Sequence, residues 1–256
     1  MSPMSDPSAV IIVPARLAST RFPQKVLAAR TGMPLVQHVV ERARLARCCR
    51  QVVVAADDRA IARALELFGT RVVLTSPDHL NGTSRLAEAA TLLNLGPDEI
   101  IVNVQGDEPE IEPATIDAAV RALIEISGAV VGTVACVLTS DADFVNPNVV
   151  KVVRRMDGGA LYFSRASIPN DRDARRDAAS APMRHVGVYA YRADFLQRYA
   201  RLPMTPLERS EQLEQLRVLE HGLTIGVGVC EPGALGIDTP EQYDAFVARW
   251  NARYDR

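Results

Sequence analysis

The stretch Ala9-Val10-Ile11-Ile12-Val13 passes directly into Pro14-Ala15-Arg16-Leu17-Ala18-Ser19-Thr20-Arg21-Phe22-Pro23-Gln24-Lys25. The first five residues form a short apolar run, which is typical of a strand buried within a parallel sheet. The segment that follows carries three cations, and its two prolines restrict the backbone. In an open α/β sheet, ligands bind at the carboxyl ends of the strands, and this loop follows such an end. The sequence therefore predicts a rigid basic loop that binds a ligand with several phosphates, with a solvated charged turn as the alternative.

Strand-like and helix-like segments alternate after this loop. The predicted strands cover residues 51–56, 71–74, 100–104 and 129–138, and the predicted helices cover 34–46, 58–68, 84–93 and 113–126. This β-α-β-α order predicts an α/β fold with a mostly parallel sheet flanked by helices and right-handed crossovers.

The alternation changes at about residue 146. Strand-like segments at 149–154, 160–163 and 184–191 have little helix between them, which predicts a small strand-rich insertion at about 146–192. Helices are expected at 193–199, 206–220 and 240–250, with a strand at 223–229, and the polar stretch 170–182 is expected to be a mobile loop. We expect residues 1–8 to be a flexible tail and residues 9–256 to form one domain.

Composition excludes several classes of protein. The chain has 256 residues, 48% of them hydrophobic, enough for one sizeable core. Its net charge of −2 and isoelectric point of about 6.1 argue against nucleic-acid binding. The run at 9–13 is too short to cross a membrane. The four cysteines show no C-x-x-C spacing, so reduced thiols and a cytoplasmic location are expected.

The basic loop carries a family resemblance. The chain contains neither G-x-x-x-x-G-K-[ST] nor G-x-G-x-x-G, so a glycine cradle for phosphates is not expected. The loop instead resembles P-A-R-x-x-S-x-R-x-P-x-K, the opening signature of the sugar-acid cytidylyltransferases. It is most similar to that of the CMP-Kdo synthetases, the 3-deoxy-manno-octulosonate (Kdo) cytidylyltransferases.

Two carboxylates occupy loops at predicted element ends. Asp107, in Gln105-Gly106-Asp107-Glu108-Pro109, follows a predicted strand and suits a metal ligand, although an Asp also starts many turns. Asp238, in Gly236-Ile237-Asp238-Thr239-Pro240-Glu241, could equally belong to an ordinary helix start. Both segments match the family's Q-G-D-E-P and G-[IV]-D-T-P-E. The resemblance implies that Asp107 and Asp238 jointly hold Mg²⁺.

Other segments extend the resemblance along nearly the whole chain. Residues 78–85 resemble D-H-x-S-G-T-[ED]-R, with Asn81 and Ser84 as departures, and Ser84 is expected to cap the next helix. Residues 160–169, 184–192 and 211–219 resemble A-L-Y-F-S-R-A-x-I-P, R-H-[LIV]-G-[LIV]-Y-x-Y-R and E-Q-L-E-Q-L-R-V-L. The family's sugar side is built from these three segments.

The resemblance implies roles for individual residues. The nucleotide would contact Pro14, Ala15, Arg16, Ser19, Arg21, Lys25, Gly82 and Arg85. Arg165 would pair with the carboxylate of the sugar acid. The hydroxyls of the sugar acid would bind Gln105, His185, Glu214 and Gln215. Catalysis would rest on Lys25, Asp107 and Asp238. Without the resemblance, a histidine on a strand is more often a structural residue, and so are polar helix residues such as Glu214 and Gln215. We expect His38, His79 and His221 to be structural.

The implied fold is the Rossmann-like fold of nucleotide-diphospho-sugar transferases, with the insertion mediating a homodimer. The implied reaction is CTP + Kdo → CMP-Kdo + diphosphate, for lipopolysaccharide biosynthesis, without nucleic-acid or membrane partners. Transfer to 8-amino-Kdo or to a sialic acid remains an alternative. A catalytically silent nucleotide-binding module is an alternative of a different class.

Overall fold

The structure, a computed structural model, describes residues 7–79, 81–173, 180–234 and 236–254. The strands in these ranges are β1 (Ala9–Ala15), β2 (Cys49–Ala56), β3 (Arg71–Leu74), β4 (Ile100–Asn103), β5 (Ala129–Val137), β6 (Lys151–Arg154), β7 (Ala160–Ser164), β8 (Met183–Arg192) and β9 (Thr224–Val229). The helices are α1 (Leu35–Arg44), α2 (Arg59–Glu66), α3 (Gly82–Leu92), α4 (Pro113–Glu125), α5 (Asp141–Val145), α6 (Ala193–Tyr199), α7 (Pro206–Glu211), α8 (Gln215–Glu220) and α9 (Pro240–Tyr254). A short 3-10 helix covers Lys25–Leu27.

The strands form a single sheet whose main order is β3-β2-β1-β4-β8-β5-β9. Strand β8 runs antiparallel to both of its neighbours, and the other pairings along this order are parallel. Strands β6 and β7 extend the sheet as an antiparallel pair attached to the first residues of β8. The predicted α/β fold with a mostly parallel sheet is therefore confirmed, and the antiparallel part comes from the strand-rich segment.

Alternation along β1 explains the two layers of helices. Ile11 and Val13 pack in a cluster with side chains of α1, α2 and α4, whereas Val10 and Ile12 pack with α3, α6 and α8 on the opposite face. All four side chains have 0% exposure. A strand covered on both faces must be apolar at every position, which is why the run at 9–13 is continuous.

Glycines allow α4 to lie against the sheet. A Cβ on Gly132 of β5 would lie 2.1 Å from the carbonyl oxygen of Ala119, and one on Gly226 of β9 would lie 2.3 Å from that of Ala122. These distances are too short for any side chain, so the Gly226-x-Gly228 pair serves helix packing.

The structure corrects some of the sequence-based predictions of secondary structure, and others fall on residues that it does not describe. The predicted helix 206–220 is two helices, because Gln212 takes a left-handed conformation with φ of 53°. Helix α5 was not predicted, and Ser84 does not cap α3, since Asn81 does so. Residues 1–6 of the expected tail and 174–179 of the expected loop lie outside the described residues. Within the described ranges, no helix is long and apolar enough to span a membrane.

Candidate active site

Two adjoining cavities open at the carboxyl ends of β1 and β4. The larger, about 780 Å³, is called the basic cavity here, after the cations of the loop that follows β1. It is lined by Pro14, Ala15, Arg16, Ala18, Ser19, Thr20, Arg21, Lys25, Val26, His79, Asn81, Gly82, Arg85, Gln105, Gly106, Asp107, Glu214 and Asp238. The structure thus brings every residue expected to contact the nucleotide into one cavity, together with the two expected metal ligands.

One lysine joins the two carboxylates. The Nζ of Lys25 donates to Asp107 Oδ2 at 2.8 Å and to Asp238 Oδ1 at 3.0 Å, across sequence separations of 82 and 213 residues. Arg21 Nη2 lies 2.9 Å from the other oxygen of Asp238. The Lys25 side chain is only 10% exposed, so its charge is held in place at the wall of the cavity. Both carboxylates therefore face one point on the cavity wall, with cations offsetting their mutual repulsion.

Backbone packing fixes the two acidic loops. A Cβ on Gly106 would lie 2.7 Å from the carbonyl oxygen of Pro14, so the turn before Asp107 can rest on the end of β1 only with glycine there. The Ile237 amide donates to the carbonyl of Asp107 at 2.8 Å, which ties the loop of Asp238 to the same turn. These contacts position both carboxylates without using their side-chain oxygens.

The N-terminus of α3 forms another wall of the basic cavity. Asn81 Oδ1 accepts from the Ser84 amide at 2.9 Å and caps the helix that Gly82 begins. Arg85 is 4% exposed and donates to Thr75 Oγ1 at 2.7 Å, so its guanidinium also braces the turn after β3. Burial lowers the pKa of Arg85. Arg85 thus contributes to the wall from beneath the cavity surface.

The second cavity, about 340 Å³, is called the aromatic cavity. Its tyrosines are Tyr189, Tyr191 and Tyr199. The expected sugar-binding residues Gln105, His185, Glu214 and Gln215 all line it. Gly82, Gln105 and Glu214 line both cavities, which makes the two cavities neighbours.

The titratable groups of the aromatic cavity are shifted toward their neutral forms. Burial lowers the pKa of His185 to about 3, and its Nε2 lies 2.9 Å from the hydroxyl of Thr133. Burial also raises the pKa of Glu214, although the hydroxyl of Thr83 donates to that carboxylate at 2.9 Å and opposes the shift. A neutral imidazole both donates and accepts hydrogen bonds. This cavity therefore suits a polyhydroxylated ligand better than a second polyphosphate.

Arg165 lies beside the aromatic cavity but does not line it. Its Nε donates to the Glu211 carbonyl at 2.7 Å, and its Nη1 donates to the Pro147 carbonyl at 3.0 Å. Its Nη2 lies 3.4 Å from the carbonyl of Gln212, which does line the cavity. The structure therefore places Arg165 against the loop between α7 and α8, and its expected pairing with a substrate carboxylate stays a prediction.

Sequence reasoning missed several residues of the aromatic cavity. Thr83, Asn103 and the three tyrosines were not singled out, although each lines it. Alternating tyrosines on β8 are also what an ordinary buried strand contains. The more specific signal was Asn103, a polar residue at the end of the apolar strand Ile100-Ile101-Val102.

The fold and the basic cavity define an α/β nucleotide-binding protein whose ligand lies at the carboxyl ends of the strands. Residues 10–225 match the family model described as cytidylyltransferase, and the chain belongs to this family.

Relatives of similar length support the assignment. A 3-deoxy-manno-octulosonate cytidylyltransferase of Solibacter usitatus is 49% identical over 91% of this chain and 90% of its own length. The enzyme of the same name from Geobacter sulfurreducens is 50% identical over 93% of this chain and 97% of its own.

Solved structures agree with the fold. A CMP:2-keto-3-deoxy-manno-octonic acid synthetase complexed with CTP has a TM-score of 0.89 and 37% identity, covering 96% of this chain and 99% of that chain. A cytidylyltransferase from Leptospira borgpetersenii, at 18% identity and a TM-score of 0.58, covers 94% of this chain and 86% of its own and shares the fold.

Proposed function

We propose that the protein transfers a cytidylyl group from CTP to 3-deoxy-manno-octulosonate, forming CMP-Kdo and diphosphate. The observation that carries this proposal is the Lys25–Asp107–Asp238 cluster in a basic cavity that adjoins a cavity lined by neutral hydrogen-bonding groups. Such a pair of cavities suits a polyphosphate on one side and a polyhydroxylated acceptor on the other. The names of the relatives supply the identity of the two substrates.

The basic cavity is proposed to hold CTP. Arg16, Arg21 and Lys25 would contact the triphosphate, with Ser19 and the backbone of Pro14 and Ala15 completing the loop around it. Guanidinium groups bind phosphate oxygens through paired hydrogen bonds, whereas an ammonium acts as a point charge. Gly82 and Arg85 at the start of α3 would form the wall against which the nucleoside lies.

The aromatic cavity is proposed to hold the sugar acid. Gln105, His185, Glu214 and Gln215 would bind its hydroxyls. Because the pKa of His185 is lowered to about 3, its imidazole is neutral near pH 7 and would bind a hydroxyl without adding charge. Arg165 would pair with the carboxylate of the sugar acid from the rim formed by the loop between α7 and α8.

Asp107 and Asp238 fit a magnesium ion. In the described ranges no group of three or more His, Cys, Asp or Glu residues converges as a metal site. Two carboxylates suffice for Mg²⁺, which is commonly held by one or two carboxylates and by substrate phosphates and water. When bound there, the ion would offset the charge of the phosphates that Lys25 and Arg21 also approach.

Positioning is the main task of these residues in the proposed reaction. The C2 hydroxyl of the sugar acid would attack the α-phosphorus in line, and diphosphate would leave. Residues that line both cavities, such as Gln105 and Glu214, lie where the hydroxyl and the α-phosphate would meet. Holding two reactants in that geometry supplies much of the rate enhancement in phosphoryl-type transfers.

Diphosphate release tests the proposal. The protein would be assayed with CTP, UTP, ATP and GTP against Kdo, 8-amino-Kdo and a sialic acid. We expect release with CTP and Kdo. If kcat/KM is higher with 8-amino-Kdo or a sialic acid than with Kdo, that compound is the acceptor instead. If no pair of substrates releases diphosphate, a catalytically silent nucleotide-binding module is favoured.

The strand-rich insertion is proposed to mediate a homodimer, and the protein is proposed to act in the cytoplasm. Leu161 of β7 is 56% exposed, and Val145 just before the insertion is 67% exposed, so apolar side chains are available on this part of the surface. Light scattering coupled to size exclusion tests the dimer, and Leu161→Glu is expected to shift the protein to monomers. A monomeric wild-type protein at micromolar concentration would contradict it.

A further inference from the structure

Asn103 is a buried polar residue without a visible structural purpose. It is the last residue of β4, after three apolar residues, and is 3% exposed. Its side-chain oxygen is buried and has no hydrogen-bond partner among the described residues. A buried amide oxygen without a partner costs free energy, so folded proteins rarely keep one unless it serves a purpose.

Asn103 helps to line the aromatic cavity, and its side-chain oxygen is buried within the wall of that cavity. In the sheet, Asn103 lies between Ile12 of β1 and Tyr189 of β8, and neither side chain bonds to it. Above it begins α3, where a Cβ on Gly82 would lie 3.9 Å from Asn103 Nδ2. Because residue 82 is glycine, no side chain from this position lies against the Asn103 nitrogen. Gly82 borders both cavities, as do Gln105 and Glu214.

We infer that Asn103 is a further substrate-positioning residue, whose side-chain amide hydrogen-bonds a hydroxyl of the sugar acid next to the nucleotide. The inference rests on the proposed function. An amide offers a donor and an acceptor, and a hydroxyl offers the same pair. A ligand hydroxyl would therefore satisfy the buried oxygen once the side chain turns toward the cavity. Asn103 lines the aromatic cavity and not the basic one, which favours the sugar acid over the ribose of CTP.

Replacement by a side chain of similar size tests the inference. Asn103→Leu removes the amide and its unpaired oxygen, so the melting temperature is expected to stay the same or rise. The KM for Kdo is expected to rise about two- to tenfold, the effect of losing one or two hydrogen bonds, while the KM for CTP stays unchanged. Asn103→Ala, which adds no bulk, repeats the test if the Leu variant does not fold.

Thr70→Val is the matched control. Thr70 is also buried, but its hydroxyl donates to Gln37 Oε1 at 2.8 Å, and neither residue lines either cavity. This variant is expected to lower the melting temperature and to leave both KM values unchanged. A lowered melting temperature with unchanged KM values for the Asn103 variants as well would make Asn103 a structural residue and overturn the inference.

Deoxygenated Kdo analogues identify the hydroxyl. The analogue that lacks the hydroxyl bound by Asn103 should be equally poor with wild type and with the variants, because the two losses remove one interaction. If the variants raise only the KM for CTP, the amide binds the ribose and the inference is wrong. If wild type releases no diphosphate from CTP and Kdo, the proposed function itself has failed. That result comes from wild type alone and does not depend on the variants.

Discussion

Asp238 shares its two oxygens between different cations at the rim of the basic cavity. Oδ1 accepts from Lys25 at 3.0 Å, and Oδ2 lies 2.9 Å from Arg21. Asp107 Oδ2 accepts from the same Lys25 ammonium at 2.8 Å. A metal ion held by both carboxylates would therefore share their oxygens with Lys25 and Arg21, and each carboxylate would contribute a ligand.

Asp238→Ala is expected to lower kcat about 10²–10³-fold, the loss typical of removing one group that stabilises transition-state charge. The carboxylate lies in a loop with its side chain 43% exposed, so stability should change little. Diphosphate release measured across Mg²⁺ concentrations checks this. Asp244→Ala, which removes an exposed partner of Arg30 on α9, is the control and should keep full activity. Near-normal magnesium-dependent turnover of Asp238→Ala would rule out the two-carboxylate site.

Arg165→Lys tests the carboxylate partner of the sugar acid. The guanidinium bonds carbonyl oxygens at the end of α7 and in the segment after α5, an arrangement that a single ammonium cannot reproduce. Losing a charge-assisted hydrogen bond to the substrate should raise the KM for Kdo about tenfold to a hundredfold, with little effect on CTP. Arg155→Lys, at an exposed pair with Asp157, is the control. An equal loss for both substrates would place Arg165 outside the sugar pocket.

At this scale the sequence predicted which residues meet, but not how. The residues expected around CTP all line one cavity because a motif next to a strand end has few places to go in an open sheet. The hydrogen bonds of Arg165 to main-chain carbonyls could not be predicted, since a carbonyl leaves no trace in side-chain patterns. Asn103 was missed because one polar letter at a strand end looks like the start of a turn.

Among the elements, α3 connects the basic cavity to the rest of the fold. Its N-cap Asn81 replaces the Ser of the family signature and supplies an equivalent oxygen, which accepts from the Ser84 amide at 2.9 Å. The departure at position 81 therefore preserves the cap. Ser84, the second departure, lies inside the helix and meets His79 Nδ1 at 3.0 Å.

Asn81→Ala separates capping from ligand binding. Loss of an N-cap costs about 1 kcal/mol of folding free energy, which urea unfolding would detect. Asp58→Ala removes the corresponding cap of α2, where Oδ1 accepts from the Ala60 amide at 2.6 Å, and should cost a similar amount. Because only Asn81 lines the basic cavity, only Asn81→Ala is expected to raise the KM for CTP as well. Matching KM values in the two variants would show that the cap does not affect the site.

Elements with strong periodicity were predicted within a few residues, and β3 was predicted with its observed bounds. The break between α7 and α8 was not, because Gln212 in a left-handed conformation is a local strain that its sequence does not reveal. The antiparallel direction of β8 was also beyond the pattern, since the residues of a strand do not show in which direction its neighbours run. That strand carries His185 and Tyr189 into the aromatic cavity.

Across the whole molecule, the site depends on the two ends of the chain meeting. Lys25 and Asp238 are 213 residues apart in sequence, and α9 begins at Pro240 directly after Asp238. A small core of Leu35, Ile237, Tyr243, Phe246 and Val247 holds α9 to α1. Packing of the last helix therefore fixes the loop that carries Asp238, together with the hydrogen bond from the Ile237 amide to the Asp107 carbonyl.

His38 makes this contact sensitive to acid. It is 2% exposed, its Nε2 lies 2.6 Å from Thr31 Oγ1, and its ring meets Phe246 and Trp250 edge-on at 5.0 and 4.3 Å. Burial lowers the pKa of His38 from 6.5 to about 4, although Glu110 partly opposes the shift. Between these values the unfolded state binds a proton that the folded state does not, so stability is lost as the pH falls from 6.5 toward 4.

His38→Gln is expected to remove this dependence, because an amide can still bond Thr31 but does not titrate. The free energy of unfolding of wild type minus that of the variant should fall by about 1–2 kcal/mol between pH 7 and pH 5. Urea unfolding followed by fluorescence measures it, since Trp250 is the single tryptophan and lies on α9 beside His38. His221→Gln, at an exposed histidine after α8, is the control. The free energy of unfolding of wild type minus that of this variant should be the same at pH 7 and pH 5. A constant difference between wild type and His38→Gln would mean that His38 takes up its proton in the folded protein, with α9 still attached to α1.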